Sequence, residues 1–153
     1  MLPSGRPSRE KRDGPFQPSP MSNADRQCIV PRPIVIVVDD DAAVRGSLRF
    51  ALEIEGFAVR THSSAGDLLN DGDLHGCVCL IIDQKLPGMT GLDLVSALRK
   101  KRILTPAILI TSYPTAIVQE MAVRAGIPIV EKPLLATLLE RVRDAAARPR
   151  TVH

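Results

Sequence analysis

Five consecutive β-branched residues, Ile34–Val38, run directly into three aspartates, Asp39–Asp41. A run of this kind has no polar side, so it predicts a strand buried on both faces. The three carboxylates cannot enter such a core unpaired and mark where the strand leaves it. The pattern recurs along the chain. Cys77–Ile82 runs into Asp83, Ala107–Ile110 into Thr111 and Ser112, and Ile127–Val130 into Glu131, Lys132 and Pro133. Phe57–Thr61 adds a shorter, alternating strand.

Helical signals fill the intervals. Asp41 is placed to cap a helix over Ala42–Glu55 that stops at Gly56, with Val44, Leu48, Phe50, Ala51 and Leu52 as its inward stripe. Ser63 or Ser64 starts a brief helix that ends at Asn70–Asp71–Gly72. Gly91–Lys101 turns Leu92, Val95 and Leu98 inward. Pro114 suits the first turn of a helix reaching Ala125 and stopping at Gly126, and Leu134–Ala147 is the last helix. The stretch Gln84–Thr90, with Pro87 and Gly88, reads as a loop.

Five strands alternating with five helices define an α/β fold. Right-handed crossovers make it a (βα)5 doubly wound, five-stranded parallel sheet with helices on both faces. The expected strand order is 2-1-3-4-5, the flavodoxin-like arrangement, with ligands bound at the carboxyl ends of strands 1 and 3.

Composition agrees. Of 153 residues 44% are hydrophobic but only 3% aromatic, so the core must be aliphatic. The formal charge of +3 is carried by the first 33 residues, where Arg6, Arg9, Lys11, Arg12, Arg26 and Arg32 face only Glu10, Asp13 and Asp25. The remainder is neutral overall, which argues against direct nucleic-acid binding by the folded part. Residues 1–32, rich in Pro, Ser and Arg, read as a disordered leader, with a basic docking arm or an alternative start at Met21 as other readings. Residues 148–153 form a short tail. Cys28, Cys77 and Cys79 make neither a disulfide framework nor a metal site, and the last two read as core thiols. His62, His75 and His153 read as surface histidines away from the acidic crevice. No apolar run nears the roughly 20 residues that span a bilayer, and no secretory leader is evident. A soluble cytoplasmic protein without membrane contact is expected.

The chemistry lies in the residues that follow the strands. Asp39, Asp40, Asp83, Thr111 and Lys132 converge on one crevice if the sheet forms as read. Each alone has an ordinary explanation: a helix cap, a turn, a surface Lys-Pro pair. Together they set three carboxylates beside one hydroxyl and one ammonium. Clustered carboxylates call for a cation, and Mg2+ suits one or two carboxylates, several waters and a phosphoryl oxygen. A carboxylate is also a competent nucleophile for forming an aspartyl phosphate.

From Ile34 to Ala147 the chain resembles the receiver domains of two-component response regulators. The stretches VIVVDDDAAVRGSL, LIIDQKLPGMTGLDL, ILITS and IVEKP carry the resemblance. VVDDDAAVRGSLRFALEIEGF is similar to the branch typified by the nitrogen-fixation regulators. The resemblance implies that Asp83 is the phosphoacceptor and that Asp39, Asp40, Asp83 and the main-chain carbonyl of Lys85 hold Mg2+. It implies that Thr111 hydrogen-bonds the phosphoryl group, that Lys132 pairs with it, and that Pro133 follows a cis peptide. The donor would be the phosphohistidine of a sensor histidine kinase. The recipient would be a downstream protein or phosphotransfer protein. Catalysis would be limited to the domain's own phosphorylation and dephosphorylation.

The chain departs from this pattern on one face. Ile129 stands where receivers carry an aromatic residue on the fifth strand, Leu134 stands where Phe follows Lys-Pro, and Pro128 lies in a shortened segment. These changes fall on the helix 4–strand 5–helix 5 face, which the family uses for output and for homodimers. Tyr113 is either a substitute aromatic or a plain loop residue. The short C-terminal tail predicts a stand-alone receiver. The competing readings are an interaction module that works without phosphorylation and a Mg2+-dependent phosphatase or other small α/β enzyme.

Overall fold

The computed structural model describes residues 31–71, 73–132 and 135–148. The leader apart from Pro31 and Arg32, the tail beyond Arg148, and with them Cys28 and His153, lie outside the described residues. So do Pro133, with its expected cis peptide, and Leu134.

The elements in chain order are β1 (Ile34–Val38), α1 (Ala42–Ile54), β2 (Ala58–His62), α2 (Ala65–Asp71), β3 (Cys77–Asp83), β4 (Lys85–Leu86), β5 (Met89–Thr90), α3 (Gly91–Lys100), β6 (Ala107–Thr111), α4 (Ala116–Ala125), β7 (Ile129–Glu131) and α5 (Leu135–Ala147). The five main strands pair in parallel in the order β2-β1-β3-β6-β7, which is the expected 2-1-3-4-5. The most continuous apolar runs take the three central places. β1, β3 and β6 are almost wholly buried, whereas β2 and β7 lie at the edges.

Period-two alternation divides the sheet's side chains between two cores. Val35, Val37, Ile81, Ile108 and Ile110 pack with Leu48 and Leu52 of α1 and Leu138 and Val142 of α5. Ile36, Val38, Leu80, Ile82 and Leu109 pack with Leu68 of α2, Leu94 and Leu98 of α3 and Ala122 of α4. Each fully buried Val, Leu or Ile contributes about 1.5–3 kcal/mol. One irregularity interrupts the alternation. Ile34 pairs with Cys77 but Val35 pairs with Cys79, so Val78 is an extra residue in β3. The bulge sends Cys77 and Cys79 into opposite cores, and both are buried there.

Several boundaries differ from the expected ones for local reasons. Phe50 lies half a helical turn from the line of Leu48 and Leu52 and is exposed, not part of the inward stripe. Thr115 caps α4 through its side chain, which leaves Pro114 outside the helix instead of in its first turn. Pro128 has no N–H for the ladder, so β7 begins at Ile129, although Ile127 is buried. Phe57 is buried just ahead of β2, which runs one residue further to His62. The Gln84–Thr90 loop contains a ribbon: Lys85–Leu86 pairs antiparallel with Met89–Thr90 around Pro87 and Gly88. Gly88 has φ +83°, the conformation that the second central position of a Pro-Gly turn requires.

Candidate functional site

The parallel sheet brings all carboxyl strand ends to one side. Asp39 is the first residue beyond β1 and is fully buried. Asp83 ends β3 and Thr111 ends β6, and both are buried. Lys132 follows β7 and is half-buried, while Asp40 is exposed at the rim.

Lys132 joins the two buried carboxylates. Its Nζ lies 2.9 Å from Asp39 Oδ2 and 3.3 Å from Asp83 Oδ2. Asp39 Oδ1 accepts a hydrogen bond from the Asp41 amide at 2.9 Å, and Asp83 Oδ1 accepts from the Lys85 amide at 3.3 Å. Thr111 Oγ1 accepts from the Tyr113 amide at 3.3 Å, which leaves its own proton free to be donated. The Thr111 carbonyl accepts from the Lys132 amide at 2.9 Å and so fixes the lysine's backbone beside the threonine.

The charges are incompletely balanced. Burial first, and then the charge of Asp39, push the Asp83 carboxyl above the ordinary carboxylate range, against the pull of Lys132 and the Lys85 amide. Burial would lower the Lys132 ammonium, but Asp39 and Asp83 outweigh it and hold it above its usual value. Asp39, Asp40 and Asp83 each offer one oxygen, and these oxygens lie within 4.8 Å of one another. Opposed ligands of Mg2+ stand about 4.2 Å apart, twice its oxygen distance. The cluster is therefore of the right size, charge and hardness for that ion.

Around this centre the structure adds residues that strand-end reasoning did not single out. Gln84 joins β3 to α3: its amide donates to the Ile110 carbonyl, its carbonyl accepts from Gly91 N, and its Oε1 accepts from Leu92 N at 3.1 Å. Gly91 is required because a Cβ there would stand 2.6 Å from the Asp83 carbonyl oxygen and 2.7 Å from Leu109 Cδ1. Arg45 reaches back from α1 to the Asp39 carbonyl, with Nη1 to O at 2.7 Å. Lys85 Nζ lies 5.9 Å from the centre of the exposed Tyr113 ring. His62, half-buried at the end of β2, accepts a hydrogen bond from the Asp39 amide through its main-chain carbonyl at 3.1 Å. His75 is exposed, as expected.

Residues 35–143 match the response regulator receiver domain family. The chain belongs to that family. Receiver domains accept a phosphoryl group from histidine kinases, bind Mg2+ in an acidic pocket and pass the signal to other partners. This receiver is 36% identical over 102 residues to the C4-dicarboxylate transport transcriptional regulatory protein DctR of Rhodobacter capsulatus, covering 65% of this chain and 52% of that protein. It is 34% identical over 116 residues to the transcriptional regulatory protein FixJ of Azorhizobium caulinodans, covering 74% of this chain and 55% of that protein. The crystal structure of FixJ-N superposes with a TM-score of 0.69 at 31% identity, over 81% of this chain and 100% of that one. The likeness to FixJ agrees with the expected nitrogen-fixation-regulator branch. The chain spans about half the length of the curated relatives it matches. Among the described residues, no helix of the receiver is long and apolar enough to cross a membrane.

Proposed function

We propose that this receiver accepts one phosphoryl group on Asp83 from the phosphohistidine of a sensor histidine kinase. Residues 33–147 are the receiver in this reading, and the domain works in the cytoplasm. Asp39, Asp40, Asp83 and the main-chain carbonyl of Lys85 would hold Mg2+. The observation that carries the reading is the Asp39–Lys132–Asp83 bridge, in which one ammonium serves two buried carboxylates. Such an ammonium can release either partner to follow charge that develops beside it.

An Asp83 oxygen attacks phosphorus as the bond from phosphorus to the donor imidazole breaks. The electron pair leaves on the imidazole nitrogen, which takes a proton from water. A phosphorus–oxygen bond to Asp83 replaces the phosphorus–nitrogen bond. Lys132 shifts its interaction from Asp83 to a phosphoryl oxygen, and the Thr111 hydroxyl donates to another. When bound, Mg2+ neutralises the carboxylates and the charge on the transferring group. Hydrolysis of the aspartyl phosphate restores the carboxylate. Before that hydrolysis, which releases inorganic phosphate, the altered contacts of Thr111 and Lys132 reach a downstream protein, or the phosphoryl group passes on to a phosphotransfer protein.

Ile129 favours a second reading. It is half-buried on β7, next to Val130, where receivers carry an aromatic residue, and it supports an interaction module indifferent to phosphorylation. Intact-mass measurement with a small phosphodonor and Mg2+ separates the two. Wild type is expected to gain one phosphoryl mass and Asp83→Asn none. An unchanged wild-type mass would refute the first reading. Partner binding that depends on Asp83 or Mg2+ would refute the second.

A further inference from the structure

Asp40 is the exposed member of the three-carboxylate cluster, and among the described residues no hydrogen bond or ion pair holds its side chain. Its position depends on the backbone on either side. Arg45 supplies a side-chain bond to that backbone. The Arg45 guanidinium donates to the Asp39 carbonyl at 2.7 Å, and the Arg45 amide donates to the Asp41 carbonyl at 3.0 Å. One residue of α1 thus bonds both neighbours of Asp40. Other contacts hold the same turn: Asp39 Oδ1 accepts from the Asp41 amide and so also ties the two neighbours of Asp40 together, the Asp39 amide donates to His62 O, and Asp41 Oδ1 accepts from the amides of Ala43 and Val44.

A carbonyl just past the end of a strand has no ladder partner, and left to water it would let the turn rotate. A guanidinium supplies that partner as a charge-assisted donor, and its fixed plane limits the angle at which the carbonyl can point. Arg45 is half-buried, so its bond is partly shielded from competing water.

We infer that Arg45 is a positioning residue for the metal site, acting through the Asp39 carbonyl to hold Asp40 facing the other two carboxylates. The inference rests on the metal reading of that site. It assigns Arg45 no contact with the ion or with the phosphoryl group.

The test is a Mg2+ titration followed by amide NMR shifts of Asp40, Asp41 and Lys85. Outer partners of metal ligands commonly contribute about 10–100-fold in affinity, so Arg45→Met is expected to weaken Mg2+ binding about 10-fold, at the low end of that range. Arg45→Lys, which restores one donor of the right charge, is expected to fall between Arg45→Met and wild type. Arg60→Met is the control. Arg60 also donates to a main-chain carbonyl, that of Asp73 at 2.7 Å, but away from the site, and its loss is expected to leave Mg2+ affinity unchanged. Should Arg45→Met fail to fold, Arg45→Gln takes its place with the same reading. Wild-type affinity in a folded Arg45→Met, or an equal loss in Arg60→Met, would overturn the inference alone. No Mg2+-dependent shift in wild type would overturn the metal reading and the inference together.

Discussion

Gly91 lies so close to the end of β3 that a Cβ on it would stand 2.6 Å from the Asp83 carbonyl oxygen. The start of α3 therefore sits directly against the backbone of the proposed phosphoacceptor. Gly91→Ala must push the helix or the strand aside. Overpacking of this kind costs about 1–3 kcal/mol, and the displacement falls on Asp83. The expected result is a lower midpoint in urea together with slower phosphoryl uptake. A variant that matches wild type in both would show that the contact yields without consequence.

Without a metal ion the site is destabilised by its own charge. An acid whose pKa is raised by folding is destabilised in its ionised form. The penalty is present above the folded pKa and vanishes below the unfolded one. For Asp83 it is therefore present at neutral pH and relieved as pH falls through its raised value. In chelator, Asp83→Asn is expected to melt above wild type at pH 7, with the gap closing toward pH 4, near the carboxylate's unfolded pKa of about 3.9. Added Mg2+ is expected to stabilise wild type more than Asp83→Asn. Thermal melts across that pH range read both effects.

Tyr113 and Lys85, whose amides bond Thr111 and Asp83, meet with 5.9 Å between ammonium and ring centre. An exposed cation–π contact is worth about 0.5–1 kcal/mol, which corresponds to roughly a 2–5-fold change in how often the contact is made. Tyr113→Ala is expected to shorten the life of the phosphoryl group by about that factor, as water gains access. The decay of phosphorylated protein after donor removal measures it.

Arg102, at φ +64°, is the only non-glycine with positive φ among the described residues. It closes α3: Ile103 N bonds Leu98 O at 3.0 Å and Arg102 N bonds Arg99 O at 2.9 Å, a helix ending that favours glycine. Arg102→Gly removes a conformational cost of about 1 kcal/mol. A higher melting temperature with unchanged phosphoryl uptake is the expected outcome.

Cys79 is pushed up to about 12 by burial, and then by its neighbour Cys77. A buried neutral thiol is a poor nucleophile. Peptide mapping after alkylation at neutral pH is expected to find Cys79 unmodified in the native protein and modified once urea unfolds it. Because folding raises this acid's pKa, the thiol also destabilises the fold above its unfolded value. Stability is expected to fall as pH rises past about 8.5.

Much of the fold was legible because burial writes itself into the sequence. Strands with both faces covered leave unbroken runs such as Ile34–Val38, and each run's polar end marks the sheet edge where the site must lie. The less legible parts were those whose contacts come from elsewhere in the chain. Phe50 looked like core by hydrophobicity, but the angle around α1 turns it outward. Pro128 shifted a boundary because a missing N–H matters only once the pairing partner is known, and Pro114 fell outside α4 because the Thr115 side chain took the cap. Val78 reads as one more apolar residue and becomes a bulge only when β3 is laid against β1.

The same division runs through the site. Asp39, Asp40, Asp83, Thr111 and Lys132 could be chosen from sequence by themselves, since strand ends are local signals and one parallel sheet collects them. Tertiary structure alone decided that Lys132 bridges Asp39 and Asp83, that Gly91 must lack a side chain, and that Arg45 grips the turn carrying Asp40. Those are distances between residues far apart in the chain or turned back upon it. A periodic pattern states which side of an element faces inward, but not which atom waits there.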